Sequence, residues 1–189
     1  MTDEVVAALR ERIAPAQVRS GATETRLYRR DASNMAGRAG VVVFAESTAD
    51  VQAAVRVASR FGVPFLARGS GTGLAGGAVP PDGAIVISTS KMNRIISVDA
   101  ENRQAWVEPG VLNLDLSKQI AHLGVHFAPD PSSQQTCSIG GNVANNSGGP
   151  HCLAEGVTSA HVLAVEVVLP DGSVTLLGGA DPEPVSYTH

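Results

Sequence analysis

Apolar positions set the outline of this chain. Val5, Val6, Leu9 and Ile13 recur at helical spacing and predict a short amphipathic helix over residues 3–13. Residues 20–40 are polar and carry too little periodicity to assign. The compact β-branched run at 41–45 reads as a buried strand. A helix then follows with both ends marked. Ser47 and Asp50 make a capping-box-like start, Val51, Ala54, Val55, Ala58 and Phe61 share one face, Gly62 stops it and Pro64 prevents continuation.

Short apolar runs bounded by Gly, Pro or Asn predict strands at 63–67, 84–88, 94–99 and 104–108. Leu112, Leu116, Ile120 and Leu123 predict a second helix closed by Gly124. Strands are expected again at 162–169 and 174–177, joined by a tight Asp171-Gly172 turn. No element is expected in the Gly- and Asn-rich segment 137–150. Strands outnumber helices and their order is mixed, which predicts an α+β fold and not a doubly wound parallel sheet.

Composition narrows the function. With 189 residues and 43% hydrophobic content, the chain is long enough for one sizeable core, and a single domain over 1–189 is expected. The net charge is -4 and the 14 Lys and Arg are scattered, which argues against nucleic acid as a partner. No stretch approaches the roughly 18–20 apolar residues of a membrane span. Asp3, Glu4, Arg10, Glu11 and Arg12 interrupt any signal-peptide core, so a cytoplasmic location is expected. Cys137 and Cys152 have neither disulfide-framework nor zinc-site spacing and are expected to be free thiols.

Two segments carry the chemistry. The first, Arg68-Gly69-Ser70-Gly71-Thr72-Gly73-Leu74 with Gly76 and Gly77, follows directly on a predicted strand. Glycines without Cβ atoms let successive N–H groups turn toward one point, an anion nest suited to a diphosphate. Arg68 either adds a charged contact or faces solvent. Gly71, Gly73 and Gly76 also form a G-x-G-x-x-G, but Pro80, Pro81 and Gly83 forbid the helix a Rossmann fingerprint must open.

The second segment contains Pro129, Asp130, Ser138, Ile139, Gly140, Gly141, Asn142, Asn145, Gly148 and Gly149, and it is dominated by small residues and amides. Such a wall suits a flat ring system with hydrogen-bonding edges; the alternative is a polar surface loop. None of His122, His126, His151, His161 or His189 shows metal-ligand spacing, and no catalytic residue is named.

In order and spacing these motifs, with Gly156-Val157 and the run 162–168, resemble the FAD-binding domain of the vanillyl-alcohol oxidase and para-cresol methylhydroxylase superfamily. The likeness covers nearly all of residues 28–179 and is strongest to its 2-hydroxy-acid branch of glycolate oxidase FAD subunits and D-lactate and D-2-hydroxyglutarate dehydrogenases.

The resemblance implies a two-subdomain fold of the para-cresol methylhydroxylase type. It implies FAD with its diphosphate wrapped by Gly69 to Leu74, and with Ser138 to Asn142, Asn145 and Gly148 along the flavin end. Gly156 and Val165 would add further contacts. Thr72 stands where some members tether the flavin through histidine, so FAD is expected to be non-covalent.

Such proteins continue into further strands and a cap that binds a small 2-hydroxy acid. The chain ends at His189 without them and drifts from the family pattern over 185–189. The expectation is a domain incomplete at its C-terminus and inactive alone, working with a cap or partner subunits, or else a non-catalytic fragment or truncated gene product.

Overall fold

The computed structural model describes residues 3–179, so the drift expected over 185–189 lies outside the described residues. Helix α1 (Asp3–Arg10) buries Val5, Ala8 and Leu9. It stops earlier than its periodicity suggests, because Pro15 follows closely, yet Ile13 still reaches the core. Strand β1 (Val18–Arg19) comes next, then α2 (Ala22–Leu27), in the stretch that showed no periodicity. The reason is physical: α2 buries none of its residues and so has no apolar face to read.

Strand β2 (Ala39–Phe44) leads into α3 (Thr48–Phe61). Its ends match the sequence signals. Ser47 Oγ accepts from the Asp50 amide at 3.2 Å, and Gly62 closes the helix in the left-handed region at φ 60°. Strands β3 (Phe65–Arg68) and β4 (Ala84–Ser88) complete a sheet of order β1-β2-β4-β3, with β2, β4 and β3 parallel and β1 antiparallel at the edge.

Every residue of β4 is buried, as an unbroken apolar run in a parallel sheet requires. Val41, Val43, Ile85 and Ile87 pack toward α1 and α3, whereas Ala39, Val42 and Val86 pack toward Tyr28 and Phe44 on the other face. Neighbouring parallel strands cannot be joined by a hairpin; they need a crossover of about a dozen residues or more. Between β3 and β4 that crossover is residues 69–83, the glycine-rich segment itself.

The second half is built differently. Strands β5 (Ile95–Asp99) and β6 (Gln104–Val107) form one antiparallel ribbon, and β7 (Ala164–Val168) and β8 (Val174–Gly178) another. Helix α4 (Asn113–Ile120) ends in a 3-10 turn before Gly124.

Helix α5 (Ile139–Asn145) occupies the segment for which no element is expected. Ser138 Oγ caps it by accepting from the Gly141 amide at 3.4 Å, and Asn146 terminates it at φ 48°. Two glycines in its first turn conceal it from any propensity argument. A short helix α6 (Cys152–Glu155) follows. Val111, Leu116, Ile120 and Ile139 make a second, smaller core, edged by Ile95, Val98, Val107 and Phe127. The β7–β8 ribbon docks on α3 through Thr48 to Glu166 at 2.7 Å and Gln52 to the Gly172 carbonyl at 2.8 Å. The mixed architecture agrees with the α+β expectation, the parallel core being confined to three strands.

Candidate cofactor site

Residue 69 leaves the sheet at the carboxyl end of β3, the side on which open α/β sheets bind ligands. From there the glycine-rich crossover runs beside α5. Gly69 lies directly against Ser138 Oγ, leaving no room for a Cβ, while Cβ atoms built on Gly73 and Gly77 would stand 3.6 and 3.9 Å from Asn145 Oδ1. The crossover therefore accompanies α5 from its cap to its last residue. Two segments separated by some seventy positions meet along one line.

Gly71 and Gly76 adopt φ of 75° and 77°, where a side chain is strained, and these two positions turn the chain back toward β4. Gly69, Gly71, Thr72, Gly73 and Gly76 are half-buried in this crossover, with Ser70, Leu74 and Gly77 exposed on it. Arg68 behaves otherwise. It is 8% exposed, and its Nη1 donates to the Ala78 carbonyl at 2.8 Å.

A cleft of about 300 Å³ opens beside this line, lined by Gly69, Ser70 and Ser138 together with Ser90, Asn93 and the Gly110–Leu112 stretch. Among the described residues Asp115 is the one ionisable side chain lining it. A larger depression of about 770 Å³, beside Arg10, Arg38 and Asp82, lies at the opposite end of the parallel strands, where the crossover ends, and none of residues 69–77 or 138–149 lines it.

In the second segment the amides divide their work. Asn142 is 1% exposed: its Oδ1 accepts from Asn113 Nδ2 at 3.0 Å, and its Nδ2 donates to Cys137 Sγ at 3.3 Å. Asn113 also donates to the Pro129 carbonyl at 2.9 Å, so one buried amide ties α4, α5 and the Pro129 turn together. Asn145 instead is exposed, held by its own donation to the Gly141 carbonyl at 3.1 Å. Ile139 belongs to the second core, and the Gly140 amide donates to the Pro109 carbonyl at 2.8 Å.

Gly149 packs on Asp130, whose Oδ2 pairs with His151 Nδ1 at 2.5 Å. That hydrogen bond holds the Asp130 carboxyl below the ordinary carboxylate range and raises the His151 imidazole above its ordinary value. Gly148 rests on Val157 and Cys152.

Gly156 turns at φ 81° after α6, and Val165 is half-buried in β7 opposite Leu177; neither lines the cleft. His161 bonds the Glu155 carbonyl at 2.7 Å. Among the described residues no group of three or more His, Cys, Asp or Glu could hold a metal.

Sequence reasoning missed Asn113 and the stretch 109–111. A Pro-Gly pair at the end of a predicted strand was the available signal: Gly110 is wedged against the Thr89 and Met92 carbonyls, and its amide donates to the latter at 2.7 Å. Glu108, 7% exposed, steadies this corner by accepting from Arg94 Nη2 at 2.7 Å, Arg94 Nε at 3.1 Å and the Arg94 amide at 2.8 Å.

Two main-chain strips meeting at the carboxyl edge of a parallel sheet, with few side chains between them, define a cradle for a nucleotide-type cofactor. The class is a nucleotide-binding α+β protein whose glycine-rich crossover opens no helix, unlike a Rossmann domain.

A family model described as an FAD binding domain matches residues 39–178, and the chain belongs to that family; its cofactor is FAD. It is 43% identical over 138 residues to glycolate oxidase subunit GlcD of Escherichia coli, covering 73% of this chain and 28% of the relative. To D-lactate dehydrogenase of Anaerostipes hadrus it is 37% identical over 180 residues, covering 94% and 38%. The structure of p-cresol methylhydroxylase with substrate bound superposes with a TM-score of 0.81 at 23% identity, over 96% of this chain and 36% of the other, which confirms the fold expected from the sequence. The chain thus spans between a quarter and two fifths of these proteins. Among the described residues no helix is long and apolar enough to cross a membrane.

Proposed function

We propose that this chain is the FAD-binding part of a flavin-dependent oxidoreductase that converts a small 2-hydroxy acid, of the glycolate or D-lactate kind, to its 2-oxo acid. The observation that carries the reading is the meeting of the 69–77 crossover with α5 at Ser138 and Asn145. The named activities of two relatives support the substrate class.

In this reading the backbone N–H groups of Gly69 to Leu74 bind the diphosphate. Ser138, Gly140, Gly141, Asn145, Gly148 and Gly149 flank the ring system, while Asn142 acts from behind by fixing α5. Pro129 and Asp130 shape the turn behind Gly149, and Gly156 and Val165 touch the cofactor from farther along the chain. Thr72 offers no imidazole for a covalent tether, so FAD is held non-covalently. When bound, FAD supplies the acceptor for the hydride that leaves the substrate carbon.

The chain's own contribution is to hold the cofactor and shield it. Asp115 does not clamp a carboxylate, since like charges repel. The substrate's carboxylate and hydroxyl proton are handled by groups of a substrate-binding region outside residues 3–179 or of partner subunits.

The test is direct. The purified chain is mixed with FAD and its visible spectrum recorded, then glycolate or D-lactate is added without oxygen, first to this chain and then to the protein carrying the substrate-binding region. A flavin spectrum that survives gel filtration is expected from this chain, with bleaching only in the longer protein. Absence of bound flavin from both would overturn the reading; bleaching in neither would remove the substrate class.

A further inference from the structure

Arg68 is the charged side chain of the glycine-rich motif, and its surroundings differ from those of a phosphate ligand. It is 8% exposed, absent from the lining of the cleft that Gly69 and Ser70 form, and its guanidinium lies over the Tyr28 ring at 5.4 Å from the centroid. Its Nη1 donates to the Ala78 carbonyl at 2.8 Å, where the crossover returns toward β4. Gly71 sits so close to the guanidinium that a Cβ there would overlap Nη2.

The same return is gripped from the other side by the segment after α2. The Ala78 amide donates to Asp31 Oδ2 at 3.3 Å, and Asp31 Oδ1 accepts from the Ser33 amide at 2.9 Å and from Ser33 Oγ at 2.5 Å. The Ala32 amide donates to the Gly73 carbonyl at 3.1 Å, and Gly76 rests on Met35 Sδ. Both limbs of the 69–78 segment are thereby fastened to one block of residues, none of which lines the cleft.

We propose that Arg68 is a positioning residue: with Tyr28 and Asp31 it clamps the crossover from beneath, so that backbone N–H groups alone meet the FAD diphosphate. The proposal rests on the FAD reading for its purpose but not for its geometry. A crossover with five glycines between residues 69 and 77 is entropically costly to order. An internal strut that spans its two limbs removes that cost before the cofactor arrives, and apparent affinity scales with the fraction of protein already in the competent shape. A planar guanidinium suits the task because it stacks on an aromatic face while its edge donates, which an ammonium cannot do equally well.

Amide hydrogen exchange on the cofactor-free chain tests this, with R68M, R68K and G71A compared with the wild type. Amides of residues 69–78 are expected to exchange about tenfold faster or more in R68M and G71A, with those of α3 and β4 unchanged. R68K is expected to restore protection only partly.

FAD titration should then show affinity lowered about tenfold in R68M, with the same ionic-strength dependence as the wild type, since no ion pair to phosphate has been lost. Unchanged exchange in R68M, or a flattened salt dependence with full rescue by R68K, would make Arg68 a phosphate ligand and overturn the proposal. If R68M fails to fold, D31N takes its place and is expected to loosen the same amides by a smaller factor; no change there counts against the clamp. Should the wild type bind no FAD, the FAD reading fails, while the exchange result still decides the clamp.

Discussion

The half of the molecule built on β1–β4 and the half built on α4, α5 and the two ribbons are held by different forces. The first encloses Leu9, Val41, Val43, Val55, Ile85 and Ile87 at 2% exposure or less, a continuous apolar interior between sheet and helices. The second has a core of four buried apolar residues and depends on polar ties: Asn113 to Asn142 and Pro129, Glu108 to Arg94, Asp130 to His151, and Thr158 Oγ1 to the Ser147 carbonyl at 2.6 Å. Hydrophobic burial is non-directional and tolerant of small shifts, whereas hydrogen bonds fix position but lose their worth when one partner goes. The first half supplies the stability; the second places small residues and amides against the glycine crossover.

The sharpest way to break this comparison is to damage each half by its own principle. Ile85→Ala should cost about 2–5 kcal/mol in urea denaturation, because a cavity opens in a fully packed strand. FAD affinity measured well below the transition should change little; a large affinity loss without lost stability would erase the distinction. Asn113→Leu should cost less, about 1–3 kcal/mol, by stranding the buried Asn142 amide. Its effect on FAD titration should exceed that of Ile85→Ala.

Smaller still are the two helix caps, which form a matched pair. Ser47→Ala and Ser138→Ala each remove a side-chain acceptor, worth about 1 kcal/mol. Only the second lines the candidate cleft, so flavin-binding titrations should separate them, S47A binding FAD as the wild type does and S138A more weakly.

The mildest effect is on pH. His151 is raised above its ordinary 6.5, so its contribution is complete below 6.5 and fades as pH climbs through the raised value. Asp130 is lowered from 3.8, so its contribution is complete above 3.8 and fades as pH falls through the lowered value. Protection of amides 148–151 from hydrogen exchange, taken relative to the intrinsic amide rate at each pH, should therefore fall on the alkaline side of that window, and H151A should abolish the fall; a wild-type protection flat across the whole range would remove the clasp from the account.

Much of the first half was legible in the residues because its elements bury a face. The strands at 84–88 and 39–44 and the helix from Thr48 to Phe61 announce themselves by apolar pattern and by Ser47 and Gly62 at the ends. Helix α2 was not legible because it buries nothing, and α5 was not because Gly140 and Gly141 stand in its first turn, where only the Ser138 cap and the packing on Val111 and Pro109 make it a helix. The two glycine-rich segments of the candidate site could be marked out from the residues, but which of their side chains turn inward and which outward could not. Asn142 turned inward and Asn145 outward are chemically the same residue three positions apart on one helix.

The amino-acid order by itself determined which stretches lack side chains, which bury a face, and that the crossover after β3 could open no helix, since these follow from local geometry and composition. That Gly69 meets Ser138, that Arg68 is spent beneath the crossover and that Asn113 locks α5 were decided only by the fold, because each joins positions far apart in the chain that come together when the sheet, α4 and α5 pack.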